Sequence, residues 1–285
     1  MKELRGKAVS DSIKEQIRKE LSEVTERLGR KPRLEIIRVG DNPADGSYAR
    51  SAVKKTSDFG MEAELKSFPE DVSKAEFTAY VKEKSNDKDT DGILILRPLP
   101  EGFEEAVGAV LVPEKDLDGM TKKNQALVFS GDASGFAPCT AAAVIRLLKH
   151  YGVNMSGKHV AVVGRSNVVG KPLSMLLLSE NATVTVCHSK TPYELLQSQL
   201  INADIICTAV GRAGFIGPSL VKEGAVIVDA GINVTEAGEL CGDADYNEVK
   251  DRCSYISPVP GGLGAVTTAV LCENLFKAAL RRSLK

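Results

Sequence analysis

"HVAVVGRSNVVGKPLSMLLL", residues 159–178, decides the fold. His159–Val163 is an apolar, Val-rich run of the kind that suits a strand buried on both faces. Gly164 stands at its end, where the chain must turn without a Cβ in the way. Gly170 opens an apolar helix at the point where that helix must approach the sheet. A helix N-terminus there offers N–H groups and a positive dipole end to a pyrophosphate. The spacing G-x-S-x-x-x-G departs from G-x-G-x-x-G, and an ordinary strand-to-helix turn would carry the same glycines.

Downstream the pattern repeats. "TVTVCHS", "DIICTAVG", "GAVIVDAG" and "SYISPV" are further runs rich in Val and Ile, expected to be strands buried on both faces. Upstream, "SDSIKEQIRKELSEVTERL" carries Ile13, Ile17, Leu21 and Val24 at helical spacing, with Ser10 or Ser12 as its cap. "RLEIIRVG" and "EAELKSF" read as strands, with a helix over 47–60 between them that Gly60 stops. "SKAEFTAYVKEK" is a helix, and "DGILILRPLP" a buried strand ended by prolines. Strands separated by helices imply a parallel sheet and an α/β protein.

The Gly/Ser/Pro-rich "SGDASGFAPCT" marks a linker. It divides an N-terminal domain, 1–140, from a second domain, 141–264. "AVTTAVLCENLFKAALRR" is expected as a long amphipathic helix, within 265–285, that packs back on the first domain.

Bulk composition narrows the classes. The 285 residues suggest one large or two ordinary domains. A formal net charge of -1 draws neither nucleic acid nor an anionic membrane. The N-terminus lacks the apolar core of a signal peptide, and no apolar run approaches the ~20 residues a bilayer needs. Six cysteines without a CxxC pair read as buried free thiols of a reducing, cytoplasmic setting. Three scattered histidines argue against a His-based metal site, so no metal is expected.

A nucleotide site would have a stated preference. NAD-specific sites place an Asp or Glu ~20 residues after the glycine turn, on the ribose diol. Between Ala182 and Tyr193 there is no acid. Ser189 and Lys190 there, and Arg165 in the glycine turn, favour a 2'-phosphate, hence NADP over NAD, although a solvated basic edge would look the same.

"VGRSNVVGKP" with "CHSKT", "PEKDLDG" (113–119), "PCT" (138–140) and "PVPGGLG" (258–264) occur in this order. Together they resemble the methylenetetrahydrofolate dehydrogenase/cyclohydrolase family over nearly the whole chain. A shikimate-dehydrogenase-like enzyme shares the architecture but fits "PEKDLDG" and "PVPGGLG" poorly. The resemblance implies an N-terminal α/β domain plus a Rossmann-type NAD(P)-binding domain, with a folate cleft between them. It implies a homodimer that oxidises methylenetetrahydrofolate in one-carbon metabolism and supplies purine biosynthesis. By resemblance, Tyr48 stacks on the folate, Asp118 holds the pterin N–H donors, and Pro260, Gly261 and Gly262 form a loop beside the pterin. Gly164, Arg165, Ser166, Val169, Gly170, Ser189, Val210, Gly211 and Ile232 match the cofactor positions.

Two positions depart from the family pattern. The family helix reads Tyr-x-x-x-Lys, and the lysine position here is Ala52. The family's glutamine before Pro-Leu-Pro is Leu96, followed by Arg97, which alternation along a strand turns to the opposite side. "PCTA" and "GGLGAVT" also carry Ala141 and Ala265 where the family has proline. Hydride transfer requires proximity and orientation, whereas hydrolysis requires proton transfer. The expectation is an NADP-dependent dehydrogenase with weak or absent cyclohydrolase. The alternatives are a bifunctional enzyme using Lys55 or water, and a binding protein without turnover.

Overall fold

The structure, a computed structural model, describes residues 1–284, the side chains of Pro43 and Ala44 excepted. Lys285, the end of the expected C-terminal helix, lies outside the described residues. In chain order the elements are β1 (Lys2–Glu3), α1 (Gly6–Leu28), β2 (Arg33–Val39), α2 (Pro43–Asp58), β3 (Glu62–Phe68), α3 (Lys74–Asn86) and β4 (Gly92–Ile95). Next come α4 (Phe103–Gly108), α5 (Lys122–Ser130), α6 (Cys139–His150), β5 (His159–Val163), α7 (Gly170–Ser179) and β6 (Thr183–Cys187). Then follow α8 (Tyr193–Asn202), β7 (Ile205–Thr208), β8 (Ala225–Asp229), β9 (Asn233–Val234) and β10 (Leu240–Cys241). The chain ends with α9 (Tyr246–Val249), β11 (Cys253–Ile256) and α10 (Leu263–Ser283).

The chain divides into two compact units. The first comprises Met1–Asp11, Phe129–Gly131 and Thr140–Thr267. Its six-stranded parallel sheet has the order β1-β11-β8-β7-β5-β6. From β5 the chain steps one way to β6 and the other way to β7, so the strand order reverses between β5 and β7. Ala161, Leu200, Ile206, Ile227 and Ile256 are fully buried in its core. β5, β7 and β8 are buried on both faces as their Val/Ile content predicts, but β6 is not. It forms the sheet edge, and Val186 is exposed there.

The second unit comprises Ser12–Val128, Asp132–Cys139 and the chain from Thr268 on. Its three parallel strands run β3-β2-β4, and β2 pairs with both neighbours. Ile37, Phe77, Ile93, Ile95 and Phe103 form its core, with the Phe68 and Phe77 rings edge to face at 5.3 Å. Ser73 caps α3 by accepting the Glu76 N–H at 3.1 Å.

Helix boundaries differ from the sequence reading at three places. α1 starts at Gly6, so Ser10 lies inside it, and Ser12 follows within the helix; neither is its cap. α2 starts at Pro43, and its end is closed near Gly60, whose φ is 86°. In the first part of its second-unit stretch α10 is buried all round rather than amphipathic. The consecutive residues Val270, Leu271, Cys272 and Glu273 are all buried, which covers every side of the helix. By length and composition α10 could cross a bilayer, yet 78% of its apolar window is buried inside the protein. All six cysteines are free, and Cys241 is the one not fully buried.

Candidate functional site

Asp118 is delivered by a short segment that runs beside β4. Ile93 donates its N–H to Lys115 O at 2.7 Å and accepts the Leu117 N–H at 3.3 Å. Asp116 then fixes the turn. Its carboxylate accepts the N–H groups of Met120 at 2.9 Å and Thr121 at 2.7 Å, and Asn124 Nδ2 at 3.0 Å. Gly119 has a φ of 62°, and a Cβ there would stand 2.7 Å from Phe136 O. From α10, Asn274 Nδ2 donates to Leu117 O at 2.9 Å. A frame of backbone contacts on both sides therefore aims Asp118 at the end of β4.

There Asp118 meets Arg97. The sequence expectation turned Arg97 away, and the structure corrects it: β4 ends at Ile95, so strand alternation does not extend to Arg97. Arg97 Nη2 donates to Asp118 Oδ2 at 2.8 Å. Cys139, at the start of α6, donates its backbone N–H to Asp118 Oδ1 at 2.8 Å. Burial pushes the Asp118 carboxyl above its ordinary value, while Arg97 and the Cys139 N–H pull it back. Tyr48, on α2, is half-buried, and its phenol is pushed well above its ordinary value by burial, with Cys139, Asp118 and Cys272 adding to the rise. The Cys139 thiol is raised by burial and by Asp118, and the Cys272 thiol reaches about 12, mainly through burial.

Ala52 lies one turn along α2 from Tyr48 and is 1% exposed. Leu96 is 7% exposed and donates its N–H to Ile37 O at 2.9 Å. The Lys55 ammonium lies 5.9 Å from the centre of the Phe59 ring, toward the far end of the helix from Tyr48. Tyr48, Ala52, Leu96, Arg97 and Asp118 all belong to the second unit, whereas Pro260, Gly261 and Gly262 belong to the first. In that loop Gly261 has a φ of 101° and accepts the Gly6 N–H at 3.0 Å.

The nucleotide candidates gather at the carboxyl ends of β5 to β8. Gly164 has a φ of 127°, and a Cβ there would lie 2.6 Å from Ala209 O. A Cβ on Gly170 would overlap the Gly164 carbonyl and stand 2.8 Å from Arg165 Cα. Ser166 Oγ accepts the Val169 N–H at 3.0 Å, which closes the turn. Arg165 and Ser189 are exposed and stand two residues past Val163 and Cys187, which are register partners. Val210 and Gly211 follow β7, and Ile232, 71% exposed, follows β8. The crevice outside the carboxyl ends of parallel strands, where strand order reverses, is where open α/β sheets bind ligands. Glycines that leave no room for a Cβ fit a dinucleotide phosphate held by backbone.

The catalytic domain of tetrahydrofolate dehydrogenase/cyclohydrolase matches residues 4–118, and the NAD(P)-binding domain of the same enzymes matches residues 138–283. This chain belongs to the tetrahydrofolate dehydrogenase/cyclohydrolase family. It is 47% identical over 276 residues to the bifunctional protein FolD of Clostridioides difficile, covering 96% of this chain and 95% of that one. Among solved structures it is similar to the bifunctional FolD enzyme of Campylobacter jejuni, with 37% identity, 99% of both chains covered and a TM-score of 0.94. It is also similar to Trypanosoma brucei FolD complexed with NADP and an inhibitor, with 31% identity, a TM-score of 0.91, and 99% and 97% of the two chains covered. The family fold is therefore the two-domain α/β architecture read from the sequence.

Within this member of the family, sequence reasoning missed the partner of Asp118. It also missed Asp229 and Asp243, two buried acids beneath the β7 and β8 loops. Asp243 accepts the N–H groups of Val210 at 2.7 Å and Arg212 at 2.8 Å, and Asn233 Nδ2 at 3.0 Å. The one signal for Asp229 was a carboxylate closing the apolar run "GAVIVDAG".

Proposed function

We propose that the protein oxidises 5,10-methylenetetrahydrofolate to 5,10-methenyltetrahydrofolate with NADP, and that its cyclohydrolase activity is weak or absent. The relatives bear bifunctional names, which supports dehydrogenase and cyclohydrolase alike, so the loss of hydrolysis rests on this chain's own residues. Tyr48 and Asp118 are read as the folate-holding residues, Pro260–Gly262 as a pterin loop, and the turn at Gly164–Gly170 as the phosphate cradle. Bound NADP supplies the hydride acceptor. What the chain supplies is orientation: an ionised Asp118 accepts pterin N–H donors, and the Tyr48 ring offers a stacking face. No protein group takes a proton in that step.

Hydrolysis of the methenyl cation is different, because attacking water must lose a proton and a ring nitrogen must gain one. The observation that carries the reading is Ala52, a buried methyl one turn from Tyr48. Leu96 is equally inert. The other candidates are poorly suited. The Tyr48 phenol holds its proton more tightly than usual, the Arg97 guanidinium offers donors and no acceptor, and the Lys55 ammonium lies over Phe59. The bifunctional alternative would rest on Lys55 or on water alone.

Following methenyltetrahydrofolate by its absorbance tests this. Purified protein is expected to reduce NADP with methylenetetrahydrofolate, after which the methenyl product decays no faster than in buffer. Ala52→Lys combined with Leu96→Gln is expected to raise that decay ~10²-fold or more, as general acid–base help typically does. Enzymatic clearance by the wild-type protein would overturn the second half of the proposal, and loss of that clearance in Lys55→Met would name the amine responsible.

A further inference from the structure

We propose that Arg97 is a positioning residue of the folate site, holding Asp118 ionised and in one orientation for the pterin N–H donors. The inference rests on Asp118 being the pterin carboxylate, as proposed above. Its warrant is geometric. Arg97 holds Oδ2 at 2.8 Å and the Cys139 N–H holds Oδ1 at 2.8 Å, so the carboxylate cannot rotate about its bond without breaking one contact. The two side chains are 13% and 19% exposed, so the pair is largely desolvated yet still reaches the surface.

The charge balance makes the guanidinium necessary. The groups that act on Asp118 come from several elements: Arg97 after β4, Cys139 on α6, and Tyr48 on α2, with Cys272 on α10 close enough to act on both Tyr48 and Cys139. Tyr48 and both thiols are raised further above their ordinary values by burial, so they bring no charge at neutral pH. Ala52 brings no charge. Arg97 is thus the cation that opposes the desolvation of Asp118, and the Cys139 N–H is the second restraint. A protonated Asp118 would present an O–H to donors that need acceptors, so folate affinity would fall as the carboxylate loses its charge. Lysine could replace the charge of Arg97 but not its planar fork.

The experiment is KM and kcat for methylenetetrahydrofolate across ~pH 6–8 in wild type, Arg97→Leu, Arg97→Lys and Asp118→Asn. Wild-type KM is expected to vary little over that range. In Arg97→Leu it should climb ~tenfold or more as pH falls, with kcat changing less and the KM for NADP unmoved; a tenfold change corresponds to one pKa unit. Arg97→Lys should restore most of the flat profile. In an Asp118→Asn background, Arg97→Leu should add no further pH dependence, since the two changes act on one pair. An Arg97→Leu profile parallel to wild type overturns the inference, as does a fall in kcat with KM unmoved. If Arg97→Leu does not fold, a profile in Arg97→Lys as steep as that predicted for the leucine overturns it equally. A wild-type protein without turnover would sink the proposed function instead. Calorimetric titration with tetrahydrofolate across the same pH range would then decide Arg97 on affinity alone.

Discussion

Asp118 and Asp229 are both carboxylates that burial lifts, and the two units restrain them by different means. Asp118 is held by a guanidinium and one backbone N–H, and is 19% exposed. Asp229 is 3% exposed and is held by backbone alone: Oδ1 accepts the N–H groups of Gly231 and Asp243, and Oδ2 accepts that of Ala244. Its carboxyl is pushed up to about 6, chiefly by burial, with Asp243 adding and the three N–H donors opposing. Both oxygens of Asp229 are committed to the fold, so it fastens loops. Asp118 is held at its flanks, and a carboxylate carries about four lone-pair sites, which leaves capacity for a ligand. The candidate site of the second unit is therefore framed by side chains. That of the first is framed by backbone, with buried acids beneath.

The comparison breaks most severely at Gly170. Gly170→Ala would force a Cβ into the Gly164 carbonyl, and backbone has no rotamer by which to yield. Overpacking of this kind costs ~1–3 kcal/mol and displaces the turn that is read as the phosphate cradle. NADP affinity is expected to fall ~100-fold or beyond measurement, while tetrahydrofolate affinity stays within about twofold. Calorimetry with each ligand checks this. Equal losses for both ligands would mean that the two sites are not built separately.

Asp229→Asn tests the buried acid at intermediate size. An amide leaves one N–H of the Gly231, Asp243 and Ala244 set facing another donor, a loss of ~1–3 kcal/mol. The pH dependence has a definite sign. The folded pKa lies above the ordinary 3.8, so the stability linked to this group is fully present below that value and is lost as pH rises through about 6. The asparagine variant lacks this slope. Its deficit in melting temperature relative to wild type should therefore be larger at ~pH 5 than at ~pH 7. A deficit larger at the higher pH would show that the backbone donors outweigh desolvation at Asp229.

These contrasts explain what the sequence could reveal. Val160–Val163 and Ala225–Val228 announce themselves because a stretch buried on both faces of a sheet is mostly apolar. Gly164 and Gly170 are legible because a tight strand-to-helix turn excludes a Cβ. β1 escaped notice because two residues carry no periodicity, and β6 misled because an edge strand can be as rich in Val as a central one. Asp118 was singled out through its motif and Arg97 was misplaced, because their meeting depends on where β4 ends, a boundary that no local pattern marks. Asp229 and Asp243 were missed for a related reason. Their donors lie up to 15 and 35 residues away in the chain, and only the folded loops bring them together.

The smallest expected effect lies where a side chain serves the backbone-built unit. Val163 and Cys187 are register partners in neighbouring parallel strands, so Arg165 and Ser189, two residues beyond each, leave the same sheet edge side by side. No acid lies between Ala182 and Tyr193 to hold a ribose diol or repel a phosphate. Arg165 is exposed, and water and salt screen much of its attraction for a 2'-phosphate. Its contribution should therefore be ~1 kcal/mol, or about fivefold. Arg165→Ala is expected to lower kcat/KM for NADP by about that factor and leave the value for NAD unchanged, with the difference shrinking as salt is raised. Equal losses with both cofactors would make Arg165 a contact to the shared pyrophosphate. A wild-type enzyme that prefers NAD would mean that the basic edge is only solvated.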